Sequence, residues 1–118
     1  MTTKQVAIAE LEGAALDWAV AMAVCPESFR GSRRHDGTPN WVAGWLDNGS
    51  PSTHWRKCGP LIERFEVEIA FIDGFGWTAN VRFGKEYSCY DSPTIAVCRA
   101  IVAAHNPDGF VEVPEDLL

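Results

Sequence analysis

Phe65-Glu66-Val67-Glu68-Ile69-Ala70-Phe71, followed after Ile72-Asp73-Gly74-Phe75-Gly76 by Trp77-Thr78-Ala79-Asn80-Val81-Arg82-Phe83, decides the fold. In both segments apolar side chains alternate with polar or small ones, the period of a strand that buries one face. Asp73-Gly74-Phe75-Gly76 between them has the composition of a hairpin turn. Both apolar sets fall on odd positions. They share one face only if residues paired across the hairpin have numbers of equal parity, which demands an odd number of loop residues and sets Arg82 opposite Glu66 or Glu68. Either pairing is a cross-strand ion pair worth about 0.2 to 1 kcal/mol, which fixes register more than stability. Gly84-Lys85 turns the chain into a third strand, Glu86 to Tyr90, and the sheet is a three-stranded antiparallel meander.

Upstream, Ser52 or Thr53 caps a short helix containing His54 to Lys57, and Gly59-Pro60 restarts a helical turn through Leu61 to Arg64. From Pro26 to Pro51 the chain is dense in Gly, Ser, Asn, Asp and Pro, yet it holds Trp41, Val42, Trp45 and Leu46. Connections this long are usually functional or disordered, and these apolar residues indicate that something here packs. Before it, Ile8, Leu11, Ala15, Trp18, Met22 and Cys25 recur at spacings of three and four, the stripe of an amphipathic helix placed at about Glu12 to Val24 and stopped by Pro26. Residues Gln5 to Ala9 suit either its start or an extended segment.

Downstream, Asp91 or Ser92 caps a last helix with Pro93 at its first position, and Ile95, Cys98, Ile101, Val102 and His105 form its buried stripe. Asn106-Pro107 ends it. Val111 and Val113 alternate with Glu112 before Pro114, as in a short edge strand or an extended tail.

A chain of 118 residues, 47% apolar and 22% charged, folds as a single domain with one modest core, with the insertion at about 26–51. Asp and Glu outnumber Lys and Arg by 16 to 10, and the net charge of −6 argues against broad binding to nucleic acid or anionic lipid. No apolar run is long enough to span a bilayer and the N-terminus leads into no signal-peptide pattern, so the expected location is the cytosol. Cys25, Cys58, Cys89 and Cys98 lie in different elements with no close-spaced pair, so reduced, mostly buried thiols are expected rather than a disulfide scaffold or zinc ribbon.

Three blocks carry a family likeness: Leu11-Glu-Gly-Ala-Ala-Leu-Asp-Trp-Ala-Val-Ala21, Pro51-Ser-Thr-His-Trp-Arg-Lys-Cys-Gly-Pro-Leu-Ile-Glu-Arg-Phe65, and Pro93-Thr-Ile-Ala-Val-Cys-Arg-Ala-Ile-Val-Ala-Ala104. In this order, with the Trp77-Thr-Ala79 strand start and the closing Val111-Glu-Val-Pro114, the chain resembles the NinX-like family of small proteins of tailed bacteriophages and prophages. Similar Ser-Thr-centred segments occur in small phage domains described as α-β-α sandwiches. The likeness covers roughly half the chain and leaves out Glu27 to Asn48. It implies a phage or prophage origin and no particular activity. The family commonly has an acidic residue where this chain has His54, and often a second glycine before Gly59, where this chain has Cys58.

Candidate sites follow from these segments. Ser52, Thr53, Trp55, Gly59, Pro60 and Glu63, with Trp41 and Trp45, are the candidates for ligand or partner contact, because exposed aromatics beside a polar, glycine-containing turn make an interaction patch. Arg30, Arg33 and Arg34 concentrate charge in the long loop and are the candidate anion-binding group. His54 and Cys58, four apart, lack the further ligands a metal requires, and no metal or other cofactor is expected. Ser52, His54 and Asp47 have the residue types of a nucleophilic triad, but no glycine elbow surrounds Ser52, and helix capping accounts for it better.

The expected fold is α+β: the meander, with the first and last helices on its apolar face and a short helix before the first strand. The expected function is that of a non-enzymatic phage or prophage accessory protein that contacts a host or phage protein in the bacterial cytosol. The alternative is a small-ligand or nucleotide-binding module built on Ser52 to Glu63 and the nearby tryptophans.

Overall fold

The computed structural model describes residues 2–24, 50–82 and 84–118. In chain order its elements are strand β1 (Thr3–Ala7), a 3-10 turn (Ile8–Glu10), helix α1 (Gly13–Val24), helix α2 (Trp55–Phe65), strands β2 (Val67–Ile72), β3 (Gly76–Val81) and β4 (Tyr87–Cys89), helix α3 (Pro93–His105), strand β5 (Phe110–Pro114) and a closing 3-10 turn (Glu115–Leu117). Cys25, Phe83 and the expected insertion as far as residue 49 lie outside the described residues.

The meander has the register that parity requires. Val67 pairs with Val81, Phe71 with Trp77 and Ile72 with Gly76, leaving three loop residues, 73–75. β4 adds antiparallel to β3 through Trp77–Cys89 and Ala79–Tyr87. Arg82 Nε meets Glu66 Oε2 at 2.8 Å between two exposed side chains, so Glu66 rather than Glu68 is its partner.

The strand begins two residues later than the alternation indicates. Phe65 is the last residue of α2, and Glu66 caps that helix in the left-handed region at φ 53°. The helix itself runs unbroken through Gly59-Pro60 instead of stopping and restarting. Pro60 removes only the bond to the Arg56 carbonyl, and both residues are exposed, where water replaces the lost donor. His54 is its N-cap and no side chain caps it, so neither Ser52 nor Thr53 plays that part.

The largest departure concerns the helices. α3 starts as its sequence indicates, with Ser92 Oγ accepting the Ile95 N–H at 3.2 Å and Pro93 in the first turn. Ala96 to Val102 are all buried, which closes the helix in on every side. One side lies on β3 and β4 and another on α1. α1 therefore packs on α3 rather than beside it on the sheet, and α3 forms a middle layer. The two sides of α3 are distinct: Ala100 lies beside Val81 and Tyr87 of the sheet, while Thr94 and Cys98 lie toward Asp17 of α1 and the Ser52 segment. His105, expected inside, is exposed and sets its ring edge-on to Phe65 at 5.5 Å.

The stripe of α1 is rotated from the expected one. Leu16 and Val20 are fully buried, whereas Trp18 and Met22 are half-buried, because the helix is contacted by α3 and by β5 together. Ile8 and Leu11 are buried too, but ahead of the helix. A second sheet completes the domain. β1 pairs antiparallel with β5, from Thr3–Pro114 to Ala7–Phe110, and settles both Gln5 to Ala9 and Val111 to Val113 as mainly extended. The fold is α+β, with three described helices, a three-stranded antiparallel sheet and a two-stranded one. No described helix is long and apolar enough to cross a membrane.

Candidate functional site

The three sequence blocks that carry the family likeness meet at one buried junction. Pro51 and Ser52 are inside the protein. The Ser52 N–H donates to Asp17 Oδ1 on α1 at 2.9 Å, and its carbonyl accepts from Thr94 Oγ1 on α3 at 2.5 Å. Thr94 Oγ1 lies 2.9 Å from Ser92 Oγ, the cap of α3, so one chain of polar contacts ties the signature segment to both long helices. Asp17 is only 7% exposed, and a buried carboxylate is tolerable because it accepts a backbone N–H. Arg99 extends the pattern. Its Nε donates to the Leu11 carbonyl at 2.8 Å and its Nη1 to the Ser88 carbonyl at 2.7 Å, clamping the entry to α1 against β4.

Beside this network lie two fully buried thiols, Cys58 and Cys98. The side-chain hydrogen bond shared with Cys58, burial, and the neighbouring Cys58 and Asp17 charges all push the Cys98 thiol well above its ordinary range. The same bond draws Cys58 down, against the effect of burial. Such thiols are inert packing groups. Ser52 Oγ is buried without a partner, and His54 Nδ1 contacts Thr53 Oγ1 and the Ser50 carbonyl instead. The serine and histidine of the triad reading are therefore not joined, and Asp47 lies outside the described residues.

The contact residues expected around Ser52 do not converge. Thr53, Trp55, Pro60 and Glu63 are exposed, Gly59 is half-buried, and Ser52 is inside. A Cβ at Gly59 meets nothing within 4 Å, so that position needs no special backbone freedom. Cys58 turns inward toward Cys98 while His54 stays at the surface, so the two do not face a common metal position. The clefts between Tyr87 and Asp108 and between Trp18 and Phe110 involve none of the signature residues. Trp41, Trp45, Arg30, Arg33 and Arg34 lie outside the described residues.

A different surface stands out at the hairpin end of the meander. Phe71 is 54% exposed, Phe75 71% and Tyr90 61%, and Ile72 is exposed beside them. Phe71 packs edge-on to Trp77 with ring centroids 5.3 Å apart, and lies 6.4 Å from the Tyr90 ring. Gly76 makes this arrangement possible: it sits at φ 84°, and a Cβ there would run into the Tyr90 backbone. Asp73, Glu86 and Asp91 are exposed in the same region, and the sequence has no Lys or Arg from Glu66 to Val81. Sequence reasoning assigned Phe71 to the core and passed over Phe75 and Tyr90. The available signal was a phenylalanine inside a turn, where no buried side chain is required.

A family model described as Bacteriophage P22, NinX matches residues 7–105. The match takes in both long helices, α2 and the meander, and it also spans Glu27 to Asn48, which the likeness read from the residues left out. It stops before Val111–Pro114, which that likeness had included. No match is found among curated proteins. With most of its length matched, including the junction of α1, the signature segment and α3, the chain belongs to the bacteriophage P22 NinX family.

Proposed function

We propose that this protein is a phage or prophage accessory factor that acts in the bacterial cytosol by contact with a host or phage protein, and that the contact is made by the hairpin end of the meander. One observation carries the reading: Phe71, Ile72, Phe75 and Tyr90 are all exposed at this end of the sheet, and the Phe71 ring is set edge-on to those of Trp77 and Tyr90. Ordered surface aromatics commonly anchor protein interfaces, because they offer large contact area at small entropic cost. The buried polar junction offers nothing comparable, since its groups are shielded from solvent and, apart from Ser52 Oγ, bonded within the protein.

Affinity capture from a bacterial host lysate tests this, with Phe75→Ala and Tyr90→Ala compared to the native chain. The expected result is a stoichiometric protein partner whose recovery drops sharply in both variants while their melting temperatures stay unchanged. A partner retained equally by all three proteins removes the hairpin end from the interface. The ligand-binding alternative has less support, because its residues from Ser52 to Glu63 are divided between interior and surface. A metabolite or nucleotide that raises the melting temperature by binding the native state, with no protein captured, reverses that order.

A further inference from the structure

Among the described residues, the hairpin end continues into an open sheet edge. The sheet order makes β2 an outer strand, and the one-to-one register along its length leaves no bulge. Arg82 N–H donates to the Glu66 carbonyl at 3.3 Å, so those two residues form a hydrogen-bonded pair. Bonded and non-bonded pairs alternate along an antiparallel ladder. Glu68, Ala70 and Ile72 therefore bond to β3, while the backbone N–H and C=O groups of Val67, Ile69 and Phe71 point off the sheet. Among the described residues no backbone bond reaches those groups from the other side. Proteins usually blunt such an edge with Pro, Lys, a bulge or a very short strand. The opposite edge, β4, is only three residues long, but β2 has six residues, Val-Glu-Ile-Ala-Phe-Ile, and none of these devices.

Charge selects the occupant. Glu68 stands on the face of β2 turned away from α3, with Glu86 on the same side of the sheet and Asp73 at the hairpin tip, all exposed. Arg82 is already held by Glu66. Two copies of β2 laid edge to edge would bring their Glu68 carboxylates toward one another, which costs free energy. An incoming strand with Lys or Arg on that face is attracted, and its other face meets Ile69 and Phe71.

We propose that β2 accepts an extended segment of a partner protein as a fourth strand, one that alternates basic residues with aliphatic or aromatic ones. The inference rests on the contact reading above and names the partner's chemistry. Recognition then divides in the way of added strands generally: main-chain bonds supply affinity and alternate side chains supply selectivity.

The probe is a short synthetic peptide alternating valine and lysine, beside the same peptide N-methylated at every second residue so that it cannot bond to the edge. Titration into the full chain, with amide hydrogen exchange as a second readout, should show binding at low salt and slowed exchange at Val67, Ile69 and Phe71. N-methylation should weaken binding at least about tenfold, as the loss of several backbone bonds requires. Glu68→Lys, a surface change that leaves the core intact, should weaken it as well. Equal affinity for both peptides, or no binding at low salt, rejects the added strand, and the hairpin aromatics are then judged by the capture experiment alone. A dimer that blocks the peptide and dissociates in Glu68→Lys or Ile69→Pro rejects it in favour of a second copy on this edge.

Discussion

The junction of α1, α2 and α3 and the far end of the hairpin are opposites. At the junction, Asp17, Ser52, Thr94 and Arg99 are polar and buried. At the hairpin end, Phe71, Phe75 and Tyr90 are apolar and exposed. Each departs from the usual partition of side chains, and such departures are the informative ones. Apart from Ser52 Oγ, these polar groups are occupied with one another and with backbone, and so hold the helices together. The aromatics outside are occupied only in part, so among the described residues the hairpin end is a region open to contact with something else.

That contrast is sharpest against the ordinary core. Ile101→Ala, in the middle layer, is expected to cost about 2 to 5 kcal/mol in urea or thermal unfolding, because α3 is enclosed and the cavity cannot collapse onto solvent. A cost under about 1 kcal/mol would mean that α3 is not sandwiched between α1 and the sheet. Asp17→Ala should come next, at about 1 to 3 kcal/mol, since it leaves the Ser52 N–H buried without an acceptor. Near-native stability for Asp17→Ala would erase the distinction between the two regions, because the junction would then be incidental packing.

The meander was legible because its two signals, period-two alternation and parity across the turn, are local and redundant. The cap of α3 was legible for the same reason: Ser92 and Pro93 are diagnostic within a single turn. The layer order was not. α1 and α3 both read as helices with apolar stripes, but which surface each covers depends on contacts far apart in sequence, such as Ser52 with Thr94. The near absence of polar residues around α3 was the one available hint that it lies in the middle. The β1–β5 pairing joins the two ends of the chain, and short strands of this kind have no local signature that distinguishes them from extended tails. The candidate site was misread through composition: Ser52, His54 and Cys58 are reactive types close in sequence, yet burial and orientation separate them.

Solution pH probes the junction more gently. Cys98 has its thiol pushed up in the folded state, so its contribution to stability is complete below the unfolded thiol's ordinary value of about 8.5 and is lost as pH rises above it. The unfolded chain then binds fewer protons than the native one, and the stability curve slopes downward. Cys58, drawn down by its bond with Cys98, acts in the opposite sense, with burial working against its shift. Chemical denaturation between pH 7 and 10 should show the decline, and replacing both Cys58 and Cys98 with Ala should flatten it. An equal slope in the variant would assign the decline to other groups and detach the thiols from the junction.

The smallest expected effect on stability belongs to the hairpin end, and it bears most on function. Phe75 is 71% exposed and sits in the three-residue loop, so Phe75→Ala removes little buried area and should change the unfolding free energy by no more than about 0.5 kcal/mol. Phe71→Ala should cost somewhat more, since it also loses the edge-on contact with Trp77. Urea titrations of both variants give the measurement. If Phe75→Ala proves as costly as Asp17→Ala, the aromatics are structural after all and the two regions cease to be opposites. If it is nearly neutral, Phe75 stands in water with no folding benefit, as the proposed contact role requires.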